Sequence, residues 1–185
     1  IFRAFSTNIG EGYYSIFNYA FKLVELPQVM LLGFISVVLF PKLSSSFTTN
    51  RKLFLKIMAW GGRISIFISG LALVTCFVFS NMIISIVFDY GEMELSDLNR
   101  IVDVFDILII SLPFTGMAIY LIMIFNATKR TSVPLTINAI TLIGVLISLT
   151  TVEVSFVNYA TIYVLTYFSS CALSLISLFF IDRQS

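Results

Sequence analysis

The chain has 185 residues, 58% hydrophobic and only 11% charged, against roughly a quarter charged in an ordinary soluble domain. That composition excludes a free-standing soluble domain, and the absence of histidine removes the commonest general base and transition-metal ligand, so neither enzymatic chemistry nor a metal or other cofactor is expected. The net charge of +1 carries little information, because in a membrane protein the placement of Lys and Arg matters and their sum does not; nucleic acid is not an expected partner.

Four stretches run without a charge for longer than a bilayer is thick: Ile64 to Phe88, Ile107 to Thr128, Thr131 to Val152 and Val154 to Ile181. A helix needs about 20 mostly apolar residues to cross the hydrocarbon core, so the fold class is all-α, a polytopic membrane helix bundle. The opening IFRAFSTNIGEG lacks the features of a signal peptide, and the first residue is Ile1, so the chain is expected to be part of a longer protein.

In chain order, two weaker apolar segments come first, Ile1 to Leu26 and Gln28 to Phe47, separated by Pro27. The first carries Arg3, Asn8, Glu11, Asn18, Lys22 and Glu25, which lipid tails tolerate only if most face other helices or water. The second meets Pro41 and Lys42 and passes into the polar string SSSFTTNRK; Pro41 is compatible with a kink. A helix then runs from Leu53 to about Phe79. One straight helix from Leu53 to Phe88 would be about 54 Å long at roughly 1.5 Å per residue, too long for a core of about 30 Å. A break at Ser80 and Asn81 is therefore expected, with Met82 to Phe88 as a short interfacial helix closed by a turn at DYGE. Ser96 is the expected N-cap, with Asp97 in the first turn, of a helix to about Ala127 that contains Pro113. Pro134 suits the first turn of the next helix, to about Val152, and the last covers Ser155 to Ile181.

Lys and Arg in short loops stay preferentially on the cytoplasmic side. The stretch Lys42 to Lys56 holds Lys42, Arg51, Lys52 and Lys56 and no acid, ATKRTS holds Lys129 and Arg130, and the tail holds Arg183. The intervening DYGEMELSDLNR has four acids and one base, and TTVEVS has only Glu153. Six crossings, with the two weak segments joined outside at Pro27, reproduce this alternation, and residues 1–185 then form a single membrane lobe.

Among the polar residues, Lys22 is the foremost candidate for a cavity or an anionic ligand, since a cation at the bilayer centre costs about 2.5 to 3.5 kcal/mol. An i,i+3 pair with Glu25 and snorkelling are the alternatives. Arg3 and Glu11 share its helix and its ambiguity, and Arg63 lies close enough to the basic side to snorkel to headgroup phosphates. Asp103 and Asp106 are a cation site or a pair at the water interface. Ser170 and Ser174 form a small-xxx-small spacing, a packing signal. Cys76 and Cys171 fall in mid-run, where a thiol behaves as a small hydrophobe.

The segment GYYSIFNYAFKLVELPQVMLLGFISVVLFPKLSSSF, with IVFDYGEMELSDLNR and FNATKRTSVP further on, resembles the MviN/MurJ-type lipid II flippases of the multidrug/oligosaccharidyl-lipid/polysaccharide exporter superfamily. The resemblance implies most of the second half of such a flippase, from within its seventh helix to its twelfth, with six transmembrane helices forming one lobe of two. It further implies export of the undecaprenyl-pyrophosphate-linked peptidoglycan precursor by alternating access in the bacterial cytoplasmic membrane, through a cationic cavity. The expected partners are thus a lipid-linked saccharide diphosphate, a missing N-terminal lobe of the same protein, and membrane lipids. The family's cavity arginine maps to Lys22, after Tyr19, Ala20 and Phe21. Candidate substrate contacts are Lys22, Arg3, Glu11, Asn18 and Glu25, with Lys42 and Arg63 as phosphate or headgroup contacts on the cytoplasmic side. Members that bind sodium use acids that this chain lacks, Asn138 being the lone match. A flippase for another lipid-linked saccharide, such as an O-antigen or teichoic unit, and a non-transporting scaffold of the same fold are the alternatives.

The charge asymmetry makes a direct prediction. Cysteines introduced at Thr49 and Ser96 are expected to label from opposite sides of the membrane with an impermeant thiol reagent; labelling of both from outside overturns the topology.

Overall fold

The computed structural model describes residues 13–88, 95–152 and 155–182. Eight α-helices follow in chain order: α1 (Tyr13–Phe34), α2 (Phe40–Thr49), α3 (Arg51–Val78), α4 (Ser80–Phe88), α5 (Leu95–Leu108), α6 (Leu112–Ala127), α7 (Ser132–Thr151) and α8 (Phe156–Asp182). A π-helical turn, Ile35–Leu39, joins α1 to α2, and a 3₁₀ turn, Ile109–Ser111, joins α5 to α6. The described residues thus hold five helices long and apolar enough to cross a membrane, an all-α polytopic bundle as expected.

The expected turn at Pro27 is not formed. Pro27 lies inside α1, and the two weak segments become one rod, Ser15–Thr49, of 35 residues. Leu26, Pro27 and Gln28 carry none of the Gly, Asn or Asp residues that a reversal of the chain needs, and a membrane helix tolerates proline where neighbours compensate the lost bond. The rod replaces the expected pair of spans, so Lys22 and Lys42 sit on one continuous helical rod. Losing that reversal leaves the later alternation of basic and acidic loops unchanged.

Each further proline leaves a local mark. Pro41 follows the widened π turn and sits in the first turn of α2, where its missing N–H costs least. Pro113 cannot donate to the Ile109 carbonyl four residues before it, and the backbone N–H of Leu112 takes that carbonyl instead, which tightens the chain to 3₁₀. Pro134 sits in the first turn of α7, as expected.

The polar string SSSFTTNRK is helix on both sides of a hinge at Asn50. Hydroxyls of Ser45, Ser46, Thr48 and Thr49 donate back to carbonyls three or four residues earlier, which satisfies them without ending the helix. Asn50 is extended (φ −154°) and its side chain accepts from the Leu53 N–H at 3.1 Å, capping α3. The break after α3 falls at Phe79 (φ −106°, ψ 13°), just before the expected Ser80 and Asn81, and α4 starts at once. Ser96 lies inside α5 and is not the N-cap that was expected; Asp97 is in the first turn and pairs with Arg100 at 3.4 Å. The DYGE turn, Glu153 and Arg183 lie outside the described residues.

The α5–α6 rod is the centre of the bundle: 61% of its apolar window is buried, against 22–29% for the others. Two cores divide along it. One gathers Phe17, Ala20 and Val24 of α1, Phe105 and Leu108 of α5, and Tyr159 and Tyr163 of α8. The other gathers Leu39 and Leu43, Phe54, and Tyr120, Ile124 and Phe125 of α6. Ser170 and Ser174 are buried on α8, as packing residues.

The tightest seam is α3 on α6. Tyr120 is buried and its hydroxyl donates to the Met58 carbonyl at 2.7 Å, with the ring packed against Gly61 and Gly62. A Cβ on Gly61 would stand 2.7 Å from the Tyr120 hydroxyl oxygen, and one on Gly116 would stand 2.8 Å from the Ser69 Cβ. Neither neighbour is a loose chain end, because the tyrosine is tethered and a serine Cβ is fixed by the backbone. Gly61→Ala and Gly116→Ala are each expected to destabilise the protein by about 1–3 kcal/mol, the range for overpacking. Gly70→Ala, with open space around it, is expected to be neutral or slightly stabilising. Thermal unfolding of the full-length protein in detergent checks all three.

Candidate functional site

Helix α1 has two faces of opposite character. Ile16, Phe17, Ala20, Leu23, Val24 and Leu31 are buried against α5 and α8. The other face, Lys22, Leu26, Val29, Met30, Gly33 and Val37, is exposed and, Lys22 apart, apolar or glycine. The spacing is helical, one stripe running down the rod. Lys22 is its single cation.

The neighbouring polar residues spiral from that stripe towards α8. Asn18, one turn before Lys22, is half-buried, with its Oδ1 enclosed and without a hydrogen-bond partner among the described residues. Glu25 is half-buried and close enough to Tyr163 for the two to interact electrostatically. One turn on, the Gln28 Nε2 donates to the Tyr163 hydroxyl at 3.1 Å, and that hydroxyl donates in return towards the Gln28 Oε1 at 3.4 Å. The Tyr163 ring meets Tyr167 edge-on at 5.0 Å and Phe21 at 5.2 Å. The exposed ammonium of Lys22 and the amide and hydroxyl cluster beside it are the chemistry that would meet a phosphorylated, hydroxyl-rich ligand.

Of the residues expected from the sequence, the structure groups Lys22, Asn18 and Glu25 on consecutive turns of α1. Arg3 and Glu11 lie outside the described residues. Lys42 is exposed on α2, twenty residues further along the rod and so about 30 Å from Lys22. Arg63 is exposed on α3. Gln28, Tyr163 and Tyr167 were not expected; an amide just after Pro27 and the i,i+4 spacing of the two tyrosines were the available signals. Asp103 is exposed, and Asp106 is half-buried near Ser80, with its Oδ1 enclosed and without a hydrogen-bond partner among the described residues. Asn138 is exposed on α7.

The family model described as "Lipid II flippase MurJ" matches residues 1–185. A protein named "Probable lipid II flippase MurJ" from Buchnera aphidicola subsp. Acyrthosiphon pisum (strain APS) is 34% identical over 89 residues, 48% of this chain and 17% of its own length. One of the same name from Buchnera aphidicola subsp. Schizaphis graminum (strain Sg) is 27% identical over 139 residues, 75% of this chain and 27% of its own length. The chain therefore spans about a quarter or less of these curated relatives.

The Gln28–Tyr163 link generates a prediction of its own. Tyr163→Phe leaves a half-buried amide short of its partner and is expected to cost about 0.5–1.5 kcal/mol, while adding Gln28→Leu recovers most of the loss. A double-mutant cycle on thermal unfolding measures the coupling, and additive losses would show the bond to be incidental.

Proposed function

The chain belongs to the lipid II flippase MurJ family, and on that premise we propose that it forms part of a transporter that carries an undecaprenyl-pyrophosphate-linked peptidoglycan precursor across the bacterial cytoplasmic membrane. The α1 stripe faces the central cavity, across from another lobe of the same protein. Lys22 meets the diphosphate of the cargo there, and Asn18, Glu25 and Gln28 line the approach. No covalent step is involved; translocation is a change in which side of the membrane the cavity opens to.

The observation that carries this reading is the exposure of Lys22 on a face of α1 that α5 and α8 leave uncovered. An ammonium turned towards lipid tails is costly, whereas one turned into a watered cavity, with an anion to bind, is not. A primary ammonium supplies three donors as a point charge to phosphate oxygens, without the fork of an arginine. The apolar remainder of the stripe suits a surface that slides against another part of the transporter during alternating access.

In the complete protein, Lys22→Ala is expected to abolish growth of a strain depleted of its own flippase while the variant stays inserted and abundant. Lys22→Arg is expected to retain growth, since charge and donors survive. Normal growth with Lys22→Ala would place the lysine among residues that only snorkel to headgroups.

A further inference from the structure

Asn18, Phe21, Glu25 and Gln28 follow one another at spacings of three, four and three residues, so they share one flank of α1. All four are half-buried, and the flank runs between the face packed on α5 and the uncovered stripe that carries Lys22. On the α8 side stand Tyr163, which is buried, and Tyr167, which is half-buried. The two helices meet here through long side chains: the Gln28 Nε2 donates to the Tyr163 hydroxyl, and Phe21 and Tyr167 both meet the Tyr163 ring edge-on. We propose that Gln28, held by Tyr163, reads the sugar that adjoins the diphosphate of the cargo; the proposal rests on the diphosphate meeting Lys22.

The first support is a count of hydrogen-bonding groups. A primary amide has two N–H donors and two acceptor lone pairs. Tyr163 takes one N–H at 3.1 Å and turns its own O–H towards the Gln28 Oε1 at 3.4 Å. One donor and one acceptor are left on Gln28, side by side, and exchanging the amide oxygen and nitrogen leaves the same pair. A tie between two helices needs no more than the first bond. In a membrane helix the unspent donor and acceptor are costly unless water or a ligand meets them. Neighbouring hydroxyls of a pyranose offer the complementary acceptor and donor, and the rings of Phe21 and Tyr167 offer the apolar surface that the C–H face of a sugar packs on. Tyr163 is then a positioning residue, acting through the amide that it holds.

The second support is register. Gln28 stands six residues after Lys22, about 9 Å along α1 at roughly 1.5 Å per residue. A sugar esterified to the diphosphate lies within that reach, whereas the isoprenoid tail has no polar atom for an amide to meet. A site built to hydrogen-bond a hydroxyl also rejects a cargo that lacks it, because the partly buried amide is then left unpaired.

The full-length protein in detergent, titrated with undecaprenyl pyrophosphate and with the same lipid carrying one sugar on its diphosphate, tests the assignment by thermal unfolding and native mass spectrometry. The wild type is expected to bind the sugar-bearing probe about tenfold more tightly. Gln28→Leu should bring the two probes within about twofold of each other. The double variant Gln28→Leu, Tyr163→Phe should recover the stability that Tyr163→Phe loses and still show no preference for the sugar, which separates reading from helix tying. Lys22→Ala should weaken both probes by the same factor. Equal binding of the two probes by the wild type, a full preference in Gln28→Leu, or a preference that returns with stability in the double variant each overturns the proposal. Unchanged affinity for undecaprenyl pyrophosphate in Lys22→Ala overturns the diphosphate reading and this proposal with it; lost affinity there, beside an intact sugar preference in Gln28→Leu, overturns this proposal alone.

Discussion

The bundle depends on how closely α3 approaches α6. Lipid tails are as apolar as leucine, so helices inside a bilayer gain little from burying apolar surface against one another, and contact quality decides whether they stay together. Here that quality comes from one aromatic ring laid over a bare stretch of helix. Gly61 and Gly62 leave room for the Tyr120 ring, Ser65 and Ser69 continue the small-residue track, and Gly116 receives Ser69 from the other side. The bond from the Tyr120 hydroxyl to the Met58 carbonyl locks the ring in that slot. With α6 held at the middle of the bundle, its N-terminal continuation α5 becomes the surface on which α1, α4 and α8 pack.

Prolines then decide where the long rods depart from regular α-helix without breaking. At Pro113 the tightened 3₁₀ turn falls where the rod passes from one hydrophobic core to the other, so the irregularity sits between two well-packed halves and disrupts neither. The π turn ahead of Pro41 falls at the corresponding change on the first rod, from α1 residues in the first core to Leu39 and Leu43 in the second. Both rods thus carry their irregular turn at the seam between the cores, and each meets two sets of neighbours with one continuous helical rod.

Much of this was legible in the sequence, for reasons of differing strength. Uncharged runs of bilayer length fix a helix class almost without competition, because unpaired backbone in lipid is so costly. The break near Ser80 followed from a length limit, and it appeared at Phe79. Pro27 misled because a proline marks a boundary in water and only a dent in a membrane helix, and the polar string around Asn50 misled because its hydroxyls are satisfied by their own helix. Lys22 was legible as an expensive cation. Its cluster with Gln28 and Tyr163 was not, since that bond joins residues 135 positions apart and depends on which face of α8 meets α1. The α3–α6 seam was hidden for the same reason: Gly61 and Tyr120 signal nothing until a tertiary contact pairs them.

Placement also separates the cations into two groups with different physics. Lys42, Arg51, Lys52, Lys56, Lys129 and Arg130 gather where water and headgroups solvate them, and that solvation is why they orient the chain. Two of them, Arg51 and Arg130, stand on the wall of an apolar cavity, one at a helix start and the other just past a helix end brought beside it by the fold. Lys22 stands apart from that group, about 30 Å along the rod from Lys42, on a helix face that the rest of the bundle leaves uncovered. A lone ammonium at that distance from the basic end gains nothing from the orienting field of the others. On the proposed reading, its place there rests on what it meets across the uncovered face.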